Sequence, residues 1–90
     1  EEDYMSKLIQ DVNIGANIQK LRKAKGLTQK DLCAKLDLSS RPMIQSTLAQ
    51  IETGSRNIFL SDLIAIQRIL GVSFDELFEG LEPIKKSEDL

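Results

Sequence analysis

The side chains in this 90-residue chain best suited to selective chemistry are amides and hydroxyls rather than thiols or imidazoles. There is no His, and the single Cys33 can form neither an internal disulfide nor a zinc centre. No Cys–His pair, glycine-rich phosphate loop or opposed pair of acids stands out. GLTQ and IETG hold single glycines, while Asp75 and Glu76 read as helix-start residues that suit the helix dipole. The expectation is therefore no enzyme, no metal and no cofactor. Gln45 and Gln50 offer something else. Each carries an amide that accepts and donates at once, the combination that pairs with the major-groove edge of adenine.

Whether those amides can be used depends on the element that carries them. Ile44, Leu48 and Ile51 recur at helical spacing, and if that face turns inward, Gln45, Ser46, Ala49 and Gln50 turn outward. Thr47 sits at the boundary, facing either a groove or the domain. Beyond the helix, Thr53, Gly54, Ser55, Arg56 and Asn57 offer a cation, hydroxyls and backbone N–H groups, which suit phosphate contacts that fix register without reading sequence. Gln29 lies at another helix start, where free N–H groups and the dipole favour a phosphate.

The surrounding elements read as five short helices. Asn13 caps a first helix bearing Ile14, Ile18 and Leu21, and Gly26 stops it. Thr28 caps a second, with Asp31 three residues on and Leu32 and Leu36 inward. The third, just described, ends at Gly54. Ser61 is expected to cap a fourth helix that is apolar nearly all round, closing at Gly71. Ser73 and Glu76 form a capping box for a short fifth helix with Phe74, Leu77 and Phe78. The aromatic residues are few and are expected to be buried, which leaves no stacking platform for single strands.

Ninety residues make one domain with a modest core, so a partner subunit would add stability. The net charge of −2 looks unsuited to nucleic acid, but it is unevenly spread. Residues 14–78 hold nine basic and six acidic residues, net +3, whereas residues 1–13 carry −3 and residues 79–90 carry −2. A basic middle between acidic ends permits DNA binding without proving it. No apolar run approaches the roughly 20 residues that span a bilayer, and no signal peptide is apparent, so a cytoplasmic protein with no membrane partner is expected.

The segments IGANIQKLRKAKGLTQKDLCAKL, STLAQIETGSRN and LIAIQRILGVSFDELF together resemble the lambda-repressor-like helix-turn-helix family, of the Cro/repressor or XRE-like type. The resemblance covers about residues 14–79 and rests on motifs arriving in the family's order: a first-helix Arg, L-T-Q, I-E-x-G and L-G-V-S-x-D-E-L-F. It implies an all-α, compact five-helix fold in which the second and third helices form the helix-turn-helix and the third enters the major groove. It also implies base contacts from Gln45, Ser46, Thr47 and Gln50, and phosphate contacts from Thr28, Gln29, Ser55, Arg56 and Asn57; Arg41 joins the phosphate contacts where the connector, which departs from the family's pattern, brings it to the DNA. Arg22 and Glu52 are implied as a buried salt bridge between the first and third helices.

The implied function is that of a sequence-specific transcriptional regulator, expected to be a repressor, acting as a homodimer on a double-stranded operator with half-sites about 10 base pairs apart. The alternative is a protein-interaction module or antitoxin on the same fold, with a toxin or other regulator as partner. Three regions stay open. Residues 1–13 are an extension whose Tyr4, Met5, Leu8, Ile9 and Val12 suit an extra helical turn, padding the core or making a dimer contact. Residues 80–90 read as a flexible acidic tail. The connector from Asp37 to about Met43 is some five residues longer than usual. It can lengthen the second helix, bulge as a loop, or start the third helix early near Pro42 under a Ser40 cap, which would bring Arg41 and Met43 towards DNA.

Overall fold

Local signals set most helix boundaries in the computed structural model, which describes residues 7, 8 and 10–85. Helix α1 spans Ile14–Ala24, α2 Gln29–Leu38, α3 Gln45–Glu52, α4 Leu60–Leu70 and α5 Phe74–Leu77. Asn13, Thr28 and Ser73 each accept a hydrogen bond from the backbone N–H three residues on, which satisfies a donor that the first turn leaves free. In α2 and α5 the acid at that third position, Asp31 or Glu76, accepts in return from the N–H of the capping residue.

The inward stripes meet in one core. Ile18 of α1, Leu32 and Leu36 of α2, Leu48 and Ile51 of α3, Leu63 and Ile66 of α4 and Leu77 of α5 are all fully buried. Helix α3 packs against both α1 and α2, while α4 lies across α2 and α5 lies against α1. Helices α1 and α3 come close at Gly15: a Cβ there would stand 1.7 Å from the carbonyl oxygen of Ile51. Only glycine admits the two backbones at that distance.

Several expectations change. The N-terminal extension is not helical where it is described: Lys7–Leu8 forms a short strand β1, antiparallel to β2 at Ile58–Phe59. Expectations for Tyr4, Met5 and Ile9 lie outside the described residues. Helix α4 begins at Leu60 after Phe59, so Ser61 is inside the first turn and caps nothing. Phe74 and Phe78 are 40% and 45% exposed, stacked loosely on each other with ring centroids 6.1 Å apart, because α5 has one turn and buries only Leu77. In the C-terminal segment, Leu81 is half-buried against the core instead of solvated.

The long connector is resolved in favour of a loop. Helix α2 closes with Ser39, and Ser40 takes the left-handed conformation at φ 64°. Backbone bonds from Arg41 to Leu36 and from Ser40 to Asp37 complete a Schellman turn. The chain then runs on to Ile44, and α3 starts at Gln45, so Ser40 does not cap an early helix near Pro42. Ile44, expected to face inward, is 70% exposed.

Candidate nucleic-acid interface

Helix α3 sits in the fold with Leu48, Ile51 and Glu52 buried and with Gln45, Ser46 and Gln50 exposed. Ala49 and Thr47 are half-buried, and Thr47 faces the cleft between the connector and α3, beside Arg41, Met43 and Asp62. The outward face is thus narrower than the sequence pattern suggests, and it is polar.

A chain of hydrogen bonds runs from the interior to that face. Arg22, 5% exposed, grips Glu52, 2% exposed, through two parallel bonds of 2.7 and 3.0 Å. The Arg22 Nη1 also donates to the Leu27 carbonyl at 2.8 Å. Hydrogen bonding to Glu52 raises the guanidinium's hold on its proton against the opposing effect of burial. Gln29 Nε2 donates to the same carboxylate at 3.0 Å, and Gln45 Nε2 donates to Gln29 Oε1 at 3.4 Å. The paired buried charge therefore orients Gln29, which in turn touches Gln45. Cys33 lies close enough for Glu52 to matter, but burial is the larger cause pushing its thiol up.

The far end of α3 is tied down separately. Gly54, at φ 84°, closes the helix in a Schellman turn in which Ser55 N–H bonds the Gln50 carbonyl at 2.9 Å. Gln10 Nε2 donates to the Ile51 and Arg56 carbonyls, at 3.2 and 2.6 Å, and its Oε1 accepts from Gly15 N–H at 3.1 Å. One side chain thus joins the start of α1, the end of α3 and the following loop.

A helix-turn-helix family model matches residues 18–77 of this geometry. The chain belongs to that family. Among curated relatives it is similar to the control protein C.MunI of a Mycoplasma species, 35% identical over 72 residues, covering 79% of this chain and 90% of the relative. It is also 38% identical over 64 residues to an uncharacterized HTH-type transcriptional regulator, y4dJ, of Sinorhizobium fredii, covering 71% and 77% of the two chains. Among solved structures, the restriction-modification controller protein C.AhdI from Aeromonas hydrophila aligns with a TM-score of 0.61 at 33% identity, over 74% of this chain and 94% of its own. The controller C.Esp1396I, solved as a tetramer with its natural 35 base-pair operator, aligns with a TM-score of 0.61 at 29% identity, over 87% and 90% of the two chains.

Within the family frame, several site residues already have partners. Gln50 Oε1 accepts from Arg56 Nε at 2.8 Å, so the amide presents its N–H donors and one remaining lone pair. Ser55 Oγ bonds the Gln50 carbonyl, and Asn57 Oδ1 accepts from Gln10 N–H at 3.0 Å. Thr28 is occupied by its capping box, which holds the Asp31 carboxyl below its usual range, chiefly through the Thr28 backbone N–H. Arg41 Nε donates to Asp62 Oδ1 at 2.8 Å, tying the connector to α4. Gln10 and Gly15 went unmarked in the sequence. A glycine inside a helical period was the only available signal for Gly15, and Gln10 carries none.

Proposed function

We propose that the chain is a sequence-specific regulator of transcription that binds double-stranded operator DNA as a homodimer, with α3 in the major groove. The observation that carries this reading is the outward set Gln45, Ser46 and Gln50 on a short helix whose opposite face is held by the buried Arg22–Glu52 pair. A reading helix needs such support, since base contacts demand a fixed side-chain frame. Gln45 and Gln50 supply adenine-type contacts, Ser46 is sequence-tolerant, and Thr47 contributes from the cleft edge. Gln29 and the loop Ser55, Arg56 and Asn57 hold phosphates, with Thr28 and Arg41 flanking. Control of a restriction-modification system is the context favoured by the similar controller proteins.

Gel-shift selection from a randomised duplex pool tests the proposal. The expected product is a palindrome whose affinity falls steeply with salt. Gln50→Ala should lose preference at one base pair per half-site, weakening binding by about 1–3 kcal/mol. No enrichment at low salt would sink the DNA reading.

A further inference from the structure

Gln10 lies ahead of residues 18–77, the stretch that the helix-turn-helix family model matches, yet it is bonded closely to the loop that follows α3. Its half-buried amide spans three elements. Oε1 accepts from the Gly15 N–H at the start of α1, while Nε2 donates to the carbonyls of Ile51, at the end of α3, and Arg56, in the loop. The Gln10 backbone N–H donates to Asn57 Oδ1 at 3.0 Å. Three residues on, Asn13 lies against Gly54, where a Cβ would stand 3.1 Å from the Asn13 carbonyl oxygen. Lys7–Leu8 pairs with Ile58–Phe59, the strand into which the loop runs. The loop from Gly54 to Asn57 is thus braced by the segment that precedes α1, with Gln10 at the centre of the brace.

We infer that Gln10 is a positioning residue for operator binding, one that sets the place of Arg56 against a DNA phosphate; this rests on the DNA reading above. Arg56 is exposed, and its Nε already donates to Gln50 Oε1, which leaves the terminal N–H groups of the fork for a phosphate. Such a contact strengthens binding most when the backbone that carries it is held before DNA arrives, because ordering a loop on binding costs free energy. The bond from Gln10 holds the Arg56 carbonyl at 2.6 Å, and the bond to Asn57 holds the next residue. Gln10 does not itself donate to DNA through its amide, since both Nε2 hydrogens are directed at carbonyls. It acts through Arg56, and Arg56 in turn touches Gln50 on the outward face of α3.

The test is the salt dependence of binding, measured with the full chain and the duplex enriched from the randomised pool. Each arginine–phosphate contact releases counterions, so a dimer that loses one contact per protomer depends less steeply on salt. A protein that is less stable but still folded keeps its slope. Arg56→Ala sets the scale: between about 50 and 200 mM salt, the rise in its dissociation constant should be about 12-fold smaller than the parent's. Gln10→Met keeps the length of the side chain and removes its hydrogen bonds, and its rise should be smaller than the parent's by at least about 3-fold. Adding Arg56→Ala to it should flatten the dependence no further than Arg56→Ala alone. The melting midpoint of Gln10→Met should fall by a few degrees, so binding is measured well below it. Gln10→Asn decides the matter where that variant does not fold: it keeps an amide, but one methylene shorter it cannot span from Gly15 to the Arg56 carbonyl, and the slope should flatten likewise. The inference is overturned if either variant, folded, keeps the parent's slope, which would leave Gln10 serving the fold alone. It is also overturned if Arg56→Ala keeps that slope, since the loop then holds no phosphate. A parent with no salt-dependent binding to any duplex would remove the DNA reading itself, and this inference with it.

Discussion

The two ends of α3 are held by opposite means. At its C-terminal end, Ile51 and Glu52 are buried against α1, where Gly15 lets the backbones touch, Arg22 neutralises Glu52 and Gln10 bonds the Ile51 carbonyl. At its N-terminal end, Ile44 is exposed and uncapped, and the connector is secured by a partly exposed Arg41–Asp62 pair whose side chains are 41% and 13% accessible. The interior thus holds the C-terminal end of this eight-residue helix, while the residues that open it lie at the surface. Substitutions at the buried end should therefore alter folding, and those at the open end should alter binding.

The largest effect is expected from Gly15→Ala. The added Cβ would overlap the Ile51 carbonyl oxygen, and backbone cannot step aside as a flexible side chain can. A loss of about 4 kcal/mol or more, much of a small domain's total stability, should abolish cooperative unfolding seen by circular dichroism. A variant with a parent-like transition would show that the helices can separate there, and the contrast between the ends would lose its main support. Glu52→Gln comes next. It strands the Arg22 charge where both partners are buried, for a loss of about 3 kcal/mol in chemical denaturation. A loss under about 0.5 kcal/mol would show that the pair is dispensable.

These two ends were unequally legible in the sequence. Capping chemistry is local, so Asn13, Thr28 and Ser73 announced three helix starts correctly. Helical spacing likewise found Leu48 and Ile51 as core and left Gln45 and Gln50 outside. Ile44 and Phe59 violate the capping rule, and there the expected boundary and burial went wrong: Ile44 faces water, and α4 starts one residue before Ser61. The N-terminal segment misled for another reason. Its apolar spacing suited a helix, but pairing with Ile58 and Phe59 is a long-range contact that periodicity cannot see. Gln10 was invisible on the same ground, since both carbonyls that its amide nitrogen reaches lie more than forty residues away.

At the open end the effects shrink. Arg41→Ala removes a partly exposed ion pair, so its stability loss should be about 0.5–1 kcal/mol, below that of Glu52→Gln. The matching loss in Asp62→Asn, and little further loss when the two are combined, would establish that the pair acts as a unit. If Arg41 serves DNA chiefly by placing the connector, Asp62→Asn should weaken operator binding as well, although Asp62 carries no positive charge for a phosphate. Unchanged binding in Asp62→Asn with weakened binding in Arg41→Ala would instead make Arg41 a direct phosphate contact.

The smallest effect should have the opposite sign. Ser40 holds the left-handed conformation at φ 64°, which disfavours residues bearing a Cβ and suits glycine at the end of a Schellman turn. Ser40→Gly should stabilise the domain by about 0.5–1 kcal/mol after the added freedom of the unfolded chain is offset, measurable as a rise of a few degrees in the melting midpoint. Because the turn keeps its backbone bonds from Arg41 to Leu36 and from Ser40 to Asp37, operator affinity should stay at the parent value. A lower midpoint would mean that the serine hydroxyl has a partner worth more than the strain. A higher midpoint with weaker binding would be more instructive: the connector would then gain from a strained residue, and the open end of α3 would be shaped by its turn before DNA arrives.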